Sequence, residues 1–485
     1  MASIDNHKIA NATKWSAIAE ILAKLVTPIT SVLLAHLLAP EVFGIVATLT
    51  MIITFAEIFT DAGFQKYIVQ HEFKDDVDFD ESTNVAFWSN LVLSFVLWGV
   101  IAIFSDQLSD LVGNSGYGHV LIIACISIPL AAFSSIQFAV YKRLLDFKTL
   151  FKVRIVSISI PLLVTLPLAI YLRSYWALVI GSIATNMANA LCLTLFSSWK
   201  PRLFFSFEKL KEMFSFTLWS MIESVSIWAT SYIDIFLVGR ALSSYYLGLY
   251  QTSSTIVGQI MGLITAITTP ILFSALSRLQ TDAKEFNKLF FEFQRYVALL
   301  VIPMGVGIYC YSDLITLLLL GEQWMETSGF IGLWGLTSAI TIVLSHYCSE
   351  VYRAKGKPKL SVLVQWLHII FLAPAVYIAL QYNYEVLYIT RSLIRFELVF
   401  VNLIVMFTII HISPLQMIQN IMPSCISSIF MAGIAIFMLK LSSNIAYQLG
   451  TIVVCMLVYF AVIYVFPKER KIILDIVNKY YKHRQ

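Results

Sequence analysis

Charge is what this sequence has least of. Asp, Glu, Lys and Arg make up 13% of its 485 residues, about half the usual share of a soluble domain. Hydrophobic residues make up 59%, and the mean hydropathy is +0.80. No soluble core would absorb that much apolar surface, so a water-soluble enzyme or binding module is excluded. Cysteine is sparse as well. Cys125, Cys192, Cys310, Cys348, Cys425 and Cys455 all lie inside apolar runs, show no metal-ligand spacing, and read as small core hydrophobes. The sequence has no Gly-rich phosphate loop with Lys, no Ser/His/Asp arrangement and no paired-carboxylate signature with a domain to hold it. Neither ATP hydrolysis nor another enzymatic activity is expected, and no metal, cofactor or nucleic acid is implied. The polar N-terminus MASIDNHKIANATK runs into a full-length apolar span without a small-residue cleavage site, so no cleavable signal peptide is expected.

What is present is a series of apolar runs of about 18–25 residues separated by polar turns. They predict an all-α polytopic membrane protein with about fourteen spans, at 15–38, 42–60, 85–104, 119–140, 155–172, 175–197, 214–238, 246–271, 296–320, 329–350, 361–380, 386–410, 424–441 and 447–466. With the N-terminus inside, 27 of the 33 Lys and Arg residues fall in inside segments and three, Arg173, Arg240 and Lys440, in outside loops. Such asymmetry puts both termini in the cytoplasm. Outside loops are short, which leaves no room for an external catalytic domain. Inside, the loop 61–84 is acidic; it lacks the glycine and ligand spacing of a calcium loop and reads as solvated. The tail from residue 467 is basic, with Ile and Tyr interspersed; it suits either the anionic inner leaflet or a plain soluble tail.

The chain also repeats itself. Residues 14–46 align with 218–250 at a constant offset of 204, with seven identities in 33 pairs: Trp15-Ser16 with Trp219-Ser220, Ile18 with Ile222, Ile29 with Ile233, Leu33 with Leu237, Leu38 with Leu242 and Gly44 with Gly248. Val140-Tyr141-Lys142 echoes Val351-Tyr352-Arg353. Two similar halves are a mark of transporter folds. The expected division is an N-terminal six-helix lobe at 1–213, a second lobe at 214–410, two additional helices at 411–466 and a basic tail at 467–485.

Ionisable residues inside spans are costly and therefore candidates for function. Glu20 and Lys24 stand one turn apart on the first span and either neutralise each other or line a hydrated cavity. Pro28, one turn on, removes a backbone hydrogen bond and predicts a bend. Glu223 and Asp234 occupy the seventh span, near the repeat-equivalent place. Glu57 and Asp61 close the second span, as a gate, a proton site or a helix terminus at the interface. Arg391 and Arg395, four apart in the twelfth span, leave one helix face; either a carboxylate from another helix pairs with them or they bind an anion. Glu397 is a poor partner for Arg395, being two residues away on the same helix. His36, His346 and His368 read as packed or interfacial. Among aromatic residues in or beside spans, Trp219, Trp228, Tyr232, Trp334 and Trp366 are either anchors or stacking faces for sugars.

Several segments resemble the Wzx-type flippases, the polysaccharide-exporter branch of the multidrug/oligosaccharidyl-lipid/polysaccharide superfamily. They are LLAPEVFGIVA, DAGFQKYIVQ, TNVAFWSNL, YWALVIGSIATNMANALCLTLFSSWKPRL, YIDIFLVGRALSSYYLGLY, LFSALSRLQTD and LLLGEQW, in matching order over most of residues 15–360. The resemblance implies two six-helix lobes plus two helices, a V-shaped cavity, and a substrate that is an undecaprenyl-pyrophosphate-linked oligosaccharide. This substrate would cross the bacterial inner membrane by alternating access, feeding O-antigen, capsule or exopolysaccharide synthesis. Membrane lipids, a polysaccharide polymerase and chain-length machinery are the implied partners. On that reading Lys24, Arg391 and Arg395 bind substrate, and Glu20, Glu57, Asp61, Glu223 and Asp234 serve coupling or gating. A cation-coupled multidrug antiporter of the same superfamily is the alternative; a polymerase or ligase and a non-transporting scaffold are further ones.

Overall fold

The computed structural model describes residues 6–61, 63–197 and 199–482, with side chains from residue 14 to 475 except those of 61, 214–220 and 222–223. Among these residues there is no β-strand. Fourteen long helices follow in order: α1 (Asn6–Leu37), α2 (Pro40–Asp61), α3 (Asp76–Ile103), α4 (Gly118–Arg143), α5 (Phe147–Leu172), α6 (Tyr175–Phe196), α7 (Phe207–Ala241) and α8 (Ser244–Arg278). They continue with α9 (Ala283–Cys310), α10 (Glu322–Ala354), α11 (Lys359–Ala379), α12 (Tyr384–Ile410), α13 (Pro414–Leu439) and α14 (Ile445–Ile463). Thirteen are long and apolar enough to cross a membrane. The remaining one, α7, is a 35-residue helix over the seventh expected span.

Local sequence sets the ends. Side chains of Asp75, Asp146, Asp282, Asn383 and Asn444 accept hydrogen bonds from the first-turn amides of α3, α5, α9, α12 and α14, satisfying donors that a helix leaves open. Arg173 and His411 take left-handed backbone conformations that close α5 and α12. Pro28 lies inside α1, which stays helical through it. Wide turns interrupt three helices, at Pro161–Thr165 in α5, Ile342–His346 in α10 and Met406–Ile410 in α12.

The chain forms two compact units, Met1–Thr252 and Ser253–Gln485. In the first, Ile45, Leu49, Val120, Leu121, Ile128 and Val179 join α2, α4 and α6 in one core. Helix α7 belongs here because it packs on α2: the Trp228 indole donates to Met51 O and Thr54 Oγ1, both at 3.2 Å, and its ring lies 4.6 Å from that of Phe55. Gly44 on α2 and Gly248 on α8 meet where the two helices begin. A Cβ on Gly44 would overlap the Ser244 carbonyl, and one on Gly248 would overlap that of Pro40. Only glycine lets the backbones come this close. Asn114 locks the same corner, donating to Thr48 Oγ1 and accepting from Ser244 Oγ at 2.9 Å.

At the other end of this unit, a second core gathers Phe64, Tyr67, Phe87, Val140, Trp199 and Met213. The acidic loop is structural. Asp75 caps α3, Asp80 accepts from the Trp199 indole at 2.9 Å, and Asp78 and Glu81 hold the Lys209 ammonium. Lys209 precedes the apolar stretch of α7. Burial works to lower its pKa, but the hydrogen bonds to Asp78 and Glu81 outweigh that and raise it.

In the second unit α9 packs against α10 and α13, and α13 against α14. The tail forms a further helix, Pro467–Lys482, anchored by its first turn: Glu469, 2% exposed, pairs with Arg295 of α9 at 3.3 Å. Arg295 also donates to Asn420 Oδ1 of α13 at 2.6 Å. Near this end the tail is thus a packed helix.

Candidate functional site

Inside the first unit, α1, α2, α3, α4, α5 and α6 line an open cavity of about 490 Å³. Each helix turns a polar side chain into it from an otherwise apolar sequence. Glu20 comes from α1, Glu57 from α2, Asn90 from α3, Ser135 from α4, Ser157 from α5 and Asn189 from α6. Lys142, in the last turn of α4, and Arg154, near the start of α5, add two cations. Phe138, Phe147 and Phe151 supply ring faces. Two of the acids singled out in the sequence, Glu20 and Glu57, are therefore brought to one cavity.

The wall has a defined hydrogen-bond pattern. Asn90 is fully buried; its Nδ2 donates to Ser135 Oγ at 2.6 Å and to Ala132 O at 3.3 Å, while its Oδ1 has no partner among the described residues. Ser157 donates to Asn189 Oδ1 and to Val153 O at 3.0 Å. The Lys142 ammonium lies 4.5 Å from the Phe138 ring centroid, and Phe151 rests on Trp15 at 4.9 Å. Carboxylates, amides, hydroxyls, cations and aromatic faces together suit a polyhydroxylated solute rather than an apolar one.

In the second unit, α12 turns at Ile394, between Tyr384–Leu393 and Arg395–Val405. Arg391 and Arg395 flank that turn, and both guanidiniums cover one indole of α10, Trp334, at 4.8 and 4.0 Å. Arg395 Nη1 donates to Ser338 Oγ at 2.6 Å. A guanidinium over a desolvated indole gains about 2 kcal/mol, and here the indole also fixes where two positive charges point. Glu397 turns elsewhere. Its Oε2 pairs with His368 Nδ1 of α11 at 2.9 Å, with the His side chain 7% exposed.

The other sequence-stated residues are dispersed. Lys24 pairs with Glu20 at 3.9 Å, with exposed side chains, and does not line the cavity. Asp234 is buried; it accepts from Tyr250 Oη at 2.7 Å and from the Ile235 amide at 2.9 Å, which ties α7 to α8. The side chains of Asp61, Trp219 and Glu223 lie outside the described residues. Sequence reasoning missed Asn90, Asn189, Ser135 and Ser157, since it weighed charged, histidine and aromatic residues and not neutral amides or hydroxyls. Isolated amides in apolar runs were the available signal.

Residues 33–329 match a family profile described as polysaccharide biosynthesis protein. Over 382 residues the chain is 23% identical to an uncharacterized membrane protein in the cps region of Klebsiella pneumoniae, covering 78% of this chain and 77% of that protein. It is 22% identical over 354 residues to the succinoglycan biosynthesis transport protein ExoT of Rhizobium meliloti (strain 1021), covering 73% and 70%. Among solved structures it is similar to the lipid II flippase MurJ in an inward closed conformation, with a TM-score of 0.77 and 16% identity over 94% of this chain and 99% of that one. At that identity the likeness is one of fold.

Proposed function

We propose a function from one premise: the chain belongs to the polysaccharide biosynthesis protein family. It is a multi-pass membrane transporter of that family and not an enzyme. Its cargo, in our reading, is an undecaprenyl-pyrophosphate-linked oligosaccharide repeat unit. The protein carries the headgroup from the inner to the outer leaflet of the bacterial inner membrane, while the lipid tail stays in hydrocarbon. The movement is alternating access of two lobes, taken as 1–213 and 214–410, with 411–466 and the tail 467–485 appended. Both termini are cytoplasmic, as 27 of 33 basic residues favour.

The observation that carries this reading is the Arg391–Arg395 pair over Trp334. Two guanidiniums held on one indole inside a membrane helix present planar forks suited to the oxygens of an anion such as pyrophosphate. The naming of one relative as a biosynthesis transport protein and of the structural neighbour as a lipid II flippase supports the same cargo class. Lys24 is assigned a supporting role in substrate binding. Glu20, Glu57, Asp61, Glu223 and Asp234 are assigned to coupling or gating through protons or sodium. Product then passes to a polysaccharide polymerase and its chain-length machinery.

The test is Arg395→Ala in cells lacking the native copy, with membrane abundance matched to wild type. Surface polysaccharide falls about tenfold or more if this guanidinium holds the anion, the size expected for losing a charged hydrogen bond. Undiminished polysaccharide at matched abundance contradicts the assignment. Raised sensitivity to cationic drugs with unchanged polysaccharide would instead favour a multidrug antiporter.

A further inference from the structure

We propose that the cavity inside the first unit is a carbohydrate site, which seats one or two sugar residues of the cargo. The inference rests on the reading above and names the place that recognises the sugar as distinct from the pyrophosphate. Its starting point is an unmet acceptor. Asn90 Oδ1 is fully buried in the cavity wall with no hydrogen-bond partner among the described residues, although Asn90 Nδ2 is doubly satisfied. A buried acceptor without a donor is a standing cost that a ligand hydroxyl removes.

The rest of the wall fits the same ligand. Sugar hydroxyls both donate and accept. Glu20 and Glu57 accept, Asn189 and Ser135 do either, and Phe138 or Phe151 offers a face to the C–H side of a pyranose ring. The volume of about 490 Å³ lies in the range of small-molecule sites and is too small for a long glycan. A bare phosphate would face the two carboxylates, and a simple amine would face Lys142 and Arg154. A neutral, polyhydroxylated group meets neither conflict. Lys142 and Arg154 lie towards the helix ends that the basic-loop count places in the cytoplasm, the side from which the cargo would enter.

The experiment measures binding of two lipids to the purified full-length protein in lipid nanodiscs. One is the lipid-linked repeat unit isolated from cells deleted for this protein; the other is undecaprenyl pyrophosphate without sugar. Wild type is expected to prefer the sugar-bearing lipid by roughly tenfold, the effect of a few net hydrogen bonds. Asn189→Ala removes one amide, and Ala131→Phe fills the wall without deleting a polar group. Both are expected to abolish that preference while still binding the sugar-free lipid, which shows that they are folded. A preference that survives both substitutions, or a wild type without any preference, overturns the carbohydrate site. A wild type that binds neither lipid overturns the cargo assignment beneath it.

Discussion

Gly44 and Gly248 stand on equivalent positions of the sequence repeat and face each other across the crossing of α2 and α8, where a Cβ on Gly44 would be 3.0 Å from Gly248 N. The crossing depends on both lacking a side chain. Either Gly44→Ala or Gly248→Ala is expected to lower stability by about 1–3 kcal/mol, the cost of forcing an extra carbon into a packed contact. Because one crossing absorbs both clashes, the double variant should cost less than the sum of the singles. Thermal unfolding in detergent checks both statements; full additivity would mean that the two glycines do not share a contact.

Lys24 pairs with Glu20 on an exposed helix face, where an ion pair contributes little. Lys24→Ala should leave the unfolding temperature unchanged, within about 0.5 kcal/mol of stability. A loss of polysaccharide export in that variant then reports on transport. A large fall in stability would assign Lys24 a folding role instead.

Trp334 supports both arginines from below. Trp334→Leu keeps apolarity but removes the ring face, and export at matched membrane abundance should drop about threefold to tenfold, in line with one or two cation–π contacts. Arg395→Lys should fail to restore export, since an ammonium lacks the planar fork that reaches Ser338 and an anion together. Export equal to wild type in both variants would remove this cluster from the mechanism.

Glu469 anchors the tail helix by a buried pair with Arg295. Glu469→Ala leaves the guanidinium without its carboxylate and should cost about 3 kcal/mol or more. It should also expose the segment after Pro467 to protease in inside-out vesicles. A tail still protected in this variant would show that apolar contacts, such as that of Ile473 with the core of the second unit, hold it alone.

Hydropathy made the helices legible in the sequence because it follows directly from membrane physics: the fourteen apolar runs lie on fourteen long helices. The repeat alignment sets Gly44 against Gly248, and these two meet at the crossing of α2 and α8. The packing partner of α7 was not legible: that Trp228 seats it on α2 has no mark in the sequence. For the site, charges inside spans drew notice, so Glu20, Glu57, Arg391 and Arg395 were visible. Their companions were not, since Asn90 and Ser135 look like ordinary polar residues until six helices bring them to one cavity. His368 and Glu397, 29 positions apart, become a pair only once α11 and α12 lie side by side.

The most direct test is to delete the chromosomal copy and measure on which leaflet lipid-linked repeat units collect, using a membrane-impermeant glycosidase or lectin on oriented vesicles. The flippase account predicts that undecaprenyl-linked oligosaccharide accumulates on the cytoplasmic side and that the wild-type protein, but not Arg395→Ala, restores it to the outer leaflet. An unchanged cytoplasmic pool in the deletion strain would contradict it.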